Sequence, residues 1–121
     1  MPSQEFDDLI ESLEEEADAI EDDVNGAPGP LSEPAKSAAL GRLPGLVSNA
    51  NSAALLLVTT PQAELSDMPT DAASAVTDIQ ASIDIGKDTQ QTNTVRASYL
   101  KRVAHLCRSY GPLEGFIKDG P

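Results

Sequence analysis

The single histidine and the single cysteine, His105 and Cys107, are the residues whose types most resemble a base and a nucleophile. They lie two positions apart in a segment with helical periodicity. On an α-helix, side chains at this spacing point about 160–200° away from one another, so they cannot share a proton. The sequence therefore predicts no nucleophilic dyad. We interpret Cys107 as a small core residue and His105 as a surface residue.

Carboxylates are abundant and occur in two runs, from Glu14 to Glu16 and from Glu21 to Asp23. Acid–base catalysis requires a pair of carboxyl groups in differing environments, generally within a concave pocket. A calcium loop requires a glycine and a terminal glutamate, and neither follows Asp18, Asp22 or Asp23 at the required spacing. We interpret both runs as the solvated face of a helix. Binding of a basic partner and binding of a divalent cation are the alternatives.

The glycines form no phosphate-binding loop. Gly41 and Gly45 belong to no such motif, and the sequence Gly86-Lys87-Asp88 lacks the upstream glycine that a P-loop requires. A lone cysteine provides neither a disulfide nor a zinc-ligand cluster, and it favours a reducing interior. The sequence therefore predicts no cofactor, no metal site and no catalytic residue.

The overall charge narrows the classes of partner. The chain has 20 acidic and 8 basic residues, which give a formal net charge of −12. Nucleic acids are bound mainly by cations that neutralise phosphates, so direct nucleic-acid binding is disfavoured. This acidic balance resembles that of proteins from extreme halophiles, in which molar salt screens the self-repulsion. An acidic protein from a GC-rich mesophile is the alternative.

The charges are also segregated along the chain. The first 25 residues contain eleven acids and no base, whereas the segment from Val95 to Arg108 contains four cations and no acid. At about 100° per residue, one face of a helix there carries Lys101, Arg102, His105 and Arg108. We expect this basic face to contact the acidic helix, within the molecule or between subunits. Contact with nucleic acid is the alternative.

Periodic apolar residues predict the first element that must position these charges. Residues 1–26 are expected to form an acidic amphipathic helix, which Ser3 caps and Asn25-Gly26 ends. Its apolar stripe consists of Phe6, Leu9, Ile10, Leu13, Ala17, Ile20 and Val24.

The middle of the chain is interrupted by prolines. Residues 27–34 predict a Pro/Gly spacer, which is either a hinge or an ordinary interhelix loop. A helix is expected to follow, and Pro44-Gly45 is expected to break or re-initiate it. The segment from Leu46 to Val58 fits a buried strand or a helix. We favour the helix because the sequence has no second convincing strand to pair with it.

Two further helices are predicted, one from about Pro69 to Gly86 and one from Val95 to Tyr110. The tail, residues 111–121, contains Phe116 and Ile117 and is expected to dock on another surface. The predicted fold class is all-α, a small irregular bundle of four or five helices over residues 35–110, with a flexible C-terminal tail.

The sequence also bears on localisation. No secretory signal opens the chain, and the longest dense apolar run, from Ala53 to Val58, is too short to cross a bilayer. We expect a soluble cytoplasmic protein without membrane contact.

The helix order from Ser3 to Tyr110, followed by the tail from Gly111 to Pro121, resembles the small helical head-to-tail adaptor proteins of tailed viruses. The resemblance is one of organisation and rests on no specific motif. It implies a subunit of a ring beneath a portal, located in the virion and assembled in the host cytoplasm. It also implies structural partners, namely further copies of the chain and a portal, and no small-molecule substrate. The acidic composition would fit a virus of a halophilic host.

Self-assembly also follows from the charge pattern, because the acidic helix of one copy could meet the basic helix of the next. The expected interface residues are Glu14, Glu15 and Asp18 on the first helix, Arg96, Lys101, Arg102 and Arg108 on the last helix, and the tail anchors Phe116 and Ile117.

Two other functions fit the sequence. The first is a small acidic regulatory protein, such as an inhibitor or an antitoxin-like module, that binds a basic partner protein. The second is an enzyme subunit whose carboxylates come together from distant segments. The absence of catalytic, metal and nucleotide motifs favours a non-enzymatic protein.

Overall fold

The computed structural model describes residues 4–25, 31–60, 62–63, 65–109 and 111–119. Within these residues the chain forms helices and no strand, which confirms the predicted all-α fold. The five helices are α1 (Gln4–Asn25), α2 (Glu33–Leu57), α3 (Ala72–Lys87), α4 (Asn93–Cys107) and α5 (Pro112–Asp119).

The apolar stripe of α1 faces the core as predicted. All of its members are buried except Leu9, which is half-buried and packs against the core. Ser3, Gly26 and most of the predicted spacer, residues 27–30, lie outside the described residues. The rest of that spacer belongs to the entry of α2, because Leu31 is buried and the hydroxyl of Ser32 accepts a hydrogen bond from the Ala35 amide.

The expected break at Pro44-Gly45 is wrong, because α2 continues through both residues to Leu57. Pro44 lies on the exposed side of the helix. The opposite side buries an apolar row that includes Leu43, Leu46 and Ala50. Burial of this row holds the helix together although proline removes one backbone hydrogen bond. The ambiguous segment 46–57 is therefore helical.

Two pairs of contacts determine the direction of α3 relative to α1. Lys87 Nζ donates to Glu14 Oε2 at 2.8 Å, and Gln80 Nε2 donates to Asp18 Oδ1 at 2.7 Å. The residue number falls along α3 as it rises along α1, so the two helices are antiparallel. The helices α2 and α4 are antiparallel, since Lys101 Nζ donates to Asn51 Oδ1 at 2.7 Å, whereas Cys107, later in α4, lines a groove with Leu43, earlier in α2.

The helix α4 is antiparallel to α3 by the same reasoning. Arg96 Nε donates to the Gly86 carbonyl at 2.9 Å, and Arg102 Nε donates to Asp78 Oδ1 at 2.7 Å. The helices α1 and α4 each pack against α2 and α3 and occupy diagonal positions. The result is a four-helix bundle in which neighbouring helices run in opposite directions.

Because α2 and α3 run in the same direction, the chain must return along the bundle between Leu57 and Ala72, in a crossover whose described residues are 58–60, 62–63 and 65–71. Ser66 and Asp67 of this crossover lie against α4, where their carbonyls accept hydrogen bonds from Arg102 at 2.7 and 3.2 Å. Asp67 takes a φ of 55° at this turn. The Asp71 side chain then caps α3 by accepting from the Ser74 amide at 2.8 Å.

The predicted docking tail contains α5, which docks on its own bundle. Leu113 and Ile117 are buried, and α5 packs against α2, α3 and α4. Lys36 Nζ also donates to the carbonyl of Lys118 at 3.1 Å. The described part of the tail, residues 111–119, therefore completes the core at the end of the bundle where α2 begins.

Candidate functional site

Arg102 does not contribute to a basic surface, contrary to the prediction. Its side chain is 5% exposed, and its Nη2 lies 2.6 Å from Asp78 Oδ2, so the two groups form a two-pronged ion pair with the Nε bond described above. The same guanidinium also binds the crossover carbonyls. Arg102 thus joins α4, α3 and the crossover inside the molecule.

Arg96 and Lys101 are also directed at the chain itself. Arg96 is 7% exposed, and its guanidinium carbon lies 5.3 Å from the centre of the Phe6 ring. Lys101 is half-buried and donates to Asn51 Oδ1 at 2.7 Å. Burial, with a smaller effect from the Arg108 charge, lowers the pKa of Lys101. Of the predicted basic face of α4, Arg102 is thus buried and Lys101 is half-buried.

Of the cations predicted at the interface, Arg108 is the one that is exposed. It lies beside an apolar groove of about 350 Å³ between α2, α4 and α5. Lys118 lines the same groove, and Lys36 contacts Lys118. The two predicted tail anchors also differ in exposure. Phe116 is half-buried, whereas Ile117 is 1% exposed. Ile117 is thus a core residue of its own subunit.

The outer face of α1 carries the largest uncompensated charge among the described residues. Five exposed acids recur at spacings of three and four along it, and they form a continuous stripe. We call this the acidic stripe: Asp8, Glu11, Glu15, Asp18 and Asp22.

Of the three acidic residues predicted at the interface, two belong to this stripe and one lies beside it. Glu15 and Asp18 belong to it, and Asp18 also accepts the hydrogen bond from Gln80. Glu14 lies beside it and is paired with Lys87 of the same chain. The acidic runs are visible in the sequence, but they do not show that Asp8, Glu11 and Asp22 belong to one row on the helix. A helical projection of the acids alone would have found them.

Glu16 is a carboxyl group with an unusual environment. Its Oε2 has no hydrogen-bond partner among the described residues, and its side chain packs on Gly45. Burial raises the pKa of Glu16, and the charge of Arg42 acts in the opposite direction. Besides burial, the charges of Glu114 and Glu16 raise the pKa of the Cys107 thiol, so both carboxyl groups lie close to that thiol.

Cys107 is not a nucleophile in the folded protein. It is 1% exposed, and burial raises the pKa of its thiol to about 12. A thiol in this state carries almost no thiolate at neutral pH. His105 is half-buried on the same helix. The rejection of a His105–Cys107 dyad thus rests on both geometry and protonation.

A concave region of about 650 Å³ lies between α3, α4 and the crossover. Arg102 and Asp78 line it, together with the hydroxyl groups of Ser74, Thr77 and Tyr99. The Arg102–Asp78 pair already satisfies itself and anchors the crossover, so its polar groups have a structural explanation. Ser82 Oγ, which also lines this groove, donates to Asp78 Oδ1 at 3.0 Å.

No group of three or more histidine, cysteine or acidic side chains within the described ranges is arranged to hold a metal ion. None of the helices in the same part of the chain is long and apolar enough to span a membrane.

Comparison of the chain with protein-family models, with curated proteins and with solved structures gives no match. Support for a function therefore comes from the exposed residues and the charge distribution of this structure.

Proposed function

We propose that this protein is a non-enzymatic interaction subunit that binds a basic partner protein through the acidic stripe of α1. The observation that carries the proposal is the row of exposed carboxylates at Asp8, Glu11, Glu15, Asp18 and Asp22. Carboxylates on one helix face repel one another, so a cationic surface that covers them relieves this repulsion.

The distribution of the cations supports a partner of different charge. Arg96 and Arg102 are buried, and Lys101 is half-buried with its ammonium group on Asn51. Four of the eight cations, Arg42, Lys87, Arg108 and Lys118, are exposed, and the 20 acids outnumber them. Two copies of such a chain repel one another at low salt, whereas a basic partner is attracted from a distance.

The test is cross-linking in the native host, with a photoreactive residue in place of Glu11. We expect one main partner whose cross-linked surface is rich in lysine and arginine. Glu15→Lys together with Asp22→Lys should abolish this cross-link, because the two changes reduce the formal charge of the stripe from −5 to −1.

Glu33→Lys together with Asp84→Lys is the matched control. Both residues are exposed and are separate from the stripe, and the pair changes the net charge by the same amount. The control should retain the cross-link. Equal loss in both double variants would mean that net charge, and not the stripe, determines binding, and would contradict the proposal.

A second candidate is the ring subunit of a head-to-tail virion adaptor, the function that the helix order resembles. One observation favours it, namely the groove beside Arg108, whose apolar wall includes Leu40, Leu43 and Val47 and in which Lys118 is paired with Glu114 at 2.7 Å. This groove could receive the acidic stripe of a neighbouring copy, and a heterologous contact of that kind closes into a ring or extends as a filament.

Light scattering after size-exclusion chromatography in molar salt separates the two candidates. A ring predicts a closed oligomer that Arg108→Glu disrupts. A monomer at high concentration, both alone and with a candidate portal protein, would contradict the ring and leave the basic-partner proposal in place.

A further inference from the structure

A second cavity, of about 480 Å³, lies where α1 and α4 begin and α3 ends. We call it the Arg96 cavity. It is lined by Phe6, Asp7, Ile10, Lys87, Thr89 and Arg96. It is separate from the acidic stripe and from the groove beside Arg108.

Arg96 is the unusual member of this set. Its Nε donates to the Gly86 carbonyl at 2.9 Å, and its Nη1 lies 3.4 Å from Asn93 Oδ1. No carboxylate of the described residues forms an ion pair with it, and its Nη2 has no hydrogen-bond partner among them. The residue as a whole is nevertheless only 7% exposed.

A buried charge without an opposite charge is unfavourable, and proteins usually pair it. Arg102, on the same helix, follows this rule through Asp78. Acids outnumber bases by 20 to 8 in this chain, so a carboxylate for Arg96 would be easy to supply. The missing anion at Arg96, beside a cavity, indicates a site for an anion from outside the chain.

The walls of the cavity specify the class of anion. Phe6 and Ile10 provide an apolar surface, and Thr89 provides a hydroxyl group. Lys87 contributes further positive charge, although Glu14 shares it through the 2.8 Å ion pair. An inorganic anion would not cover the narrow apolar wall that these residues offer, since Phe6 is 3% exposed and Ile10 is 6% exposed. A carboxylate attached to an apolar body would cover that wall and pair with the guanidinium fork.

We propose that the Arg96 cavity binds an organic carboxylate whose apolar body packs on Phe6 and Ile10. The carboxylate is that of a small free acid or the terminus of a peptide that ends in an apolar residue. Asp7 lines the same cavity and opposes the binding through its negative charge.

The primary test uses benzoate as the probe, titrated into the full chain and followed by amide NMR shifts. We expect saturable binding with a Kd on the order of 1 mM, which is typical of a ligand of this size. The shifts should centre on residues 6–10 and 87–96. Benzamide, which has the same shape without the charge, should bind at least tenfold more weakly.

Inorganic phosphate tests whether binding requires an apolar body on the ligand. It should bind more weakly than benzoate, and equal or tighter binding of phosphate would overturn the proposal. An acetylated peptide ending in phenylalanine, compared with its C-terminal amide, distinguishes the two sources. Tighter binding of the free-acid peptide than of benzoate assigns the site to a peptide terminus, and weaker binding assigns it to a small acid.

Surface variants keep the test independent of folding. Thr89 is exposed and lines the cavity, so Thr89→Asp should weaken benzoate binding about tenfold by adding a like charge. Gln90→Asp adds the same charge at the next exposed residue, which does not line the cavity, and should change the affinity less than threefold. Asp7→Asn should tighten binding.

Arg96→Gln should abolish benzoate binding while the helical circular dichroism is retained. Should Arg96→Gln fail to fold, the Thr89, Gln90 and Asp7 variants decide alone. Benzoate shifts located elsewhere, equal binding of benzamide, or equal effects of Thr89→Asp and Gln90→Asp would each overturn the proposal.

Discussion

At the scale of single residues, Arg96 and Arg102 have the same type, the same helix and nearly the same burial. Their roles differ because of what lies opposite. Asp78 of α3 faces Arg102, whereas the Phe6 ring and a backbone carbonyl face Arg96. Arg102 therefore contributes to the fold, whereas Arg96 retains a charge that a ligand can neutralise.

The Arg102 pair can be tested by substitution. Arg102→Met should lower the free energy of unfolding by about 3 kcal/mol, because it leaves Asp78 without its partner and frees the crossover. Urea denaturation measures the loss. Lys87→Met is the control, since both members of its pair are largely exposed, at 46% and 39%, and it should cost less than about 1 kcal/mol. Equal losses would contradict the anchoring role of Arg102.

Cys107 gives a prediction with a defined pH range. Burial raises the pKa of its thiol from an ordinary value of 9.0 to about 12. The unfolded chain therefore loses the thiol proton at lower pH than the folded chain does. The contribution of Cys107 to stability is complete below about pH 9 and declines as the pH rises toward 12.

Iodoacetamide labelling at pH 8 measures the protection of this thiol. The folded chain should react far more slowly than the same chain in urea, because the thiol is both protonated and covered. Cys107→Ala should remove part of the alkaline loss of stability. Rapid labelling without denaturant would show that the thiol is accessible and would contradict its burial.

At the scale of elements, close helix packing depends on small residues at particular positions. A Cβ atom at Gly86 of α3 would lie 2.6 Å from Leu100 Cδ2 of α4, so glycine permits this approach. Gly41 of α2 has no atom within 4 Å of the corresponding position. The same residue type is thus required at one site and unneeded at the other.

Two alanine substitutions should have opposite signs. Gly86→Ala should destabilise the protein by about 1–3 kcal/mol through overpacking against Leu100. Gly41→Ala should stabilise it by about 0.5–1 kcal/mol, since glycine is unfavourable inside a helix. Differential scanning calorimetry of both variants measures the signs. Stabilisation by Gly86→Ala would mean that α3 and α4 are not packed at this distance.

At the scale of the whole molecule, the net charge of −12 produces repulsion that grows as the chain compacts. Salt weakens this repulsion, because the Debye length falls from about 10 Å at 0.1 M to about 3 Å at 1 M. Because the acidic stripe is exposed, dissolved cations can screen the repulsion among its carboxylates.

We therefore expect the Tm to rise as sodium chloride increases from about 0.1 to 1 M. Glu15→Gln together with Asp22→Asn removes two charges from the stripe and should reduce this rise. Thermal denaturation followed by circular dichroism measures both effects. A Tm that is independent of salt would contradict a destabilising role for the stripe.

The helices could be predicted from the sequence because their signals are local. The three-to-four spacing from Phe6 to Val24 identified α1, and similar spacing identified α3 and α4. Charge segregation was also correct as a description of the sequence. The continuation of α2 through Pro44 could not be predicted, because the burial that overrides the proline comes from other helices.

The sequence by itself determined the all-α class, the acidic first helix and the lack of a local catalytic motif. Tertiary structure alone decided that Arg96, Arg102 and Ile117 face inward. Arg96 lies against Phe6 and the end of α3, the crossover covers Arg102, and α5 docks Ile117 on the bundle. The physical reason is the separation along the sequence of the residues that interact. Helical periodicity is set by residues within two turns, whereas the Arg102–Asp78 pair spans 24 positions and the Arg96 cavity joins three helices.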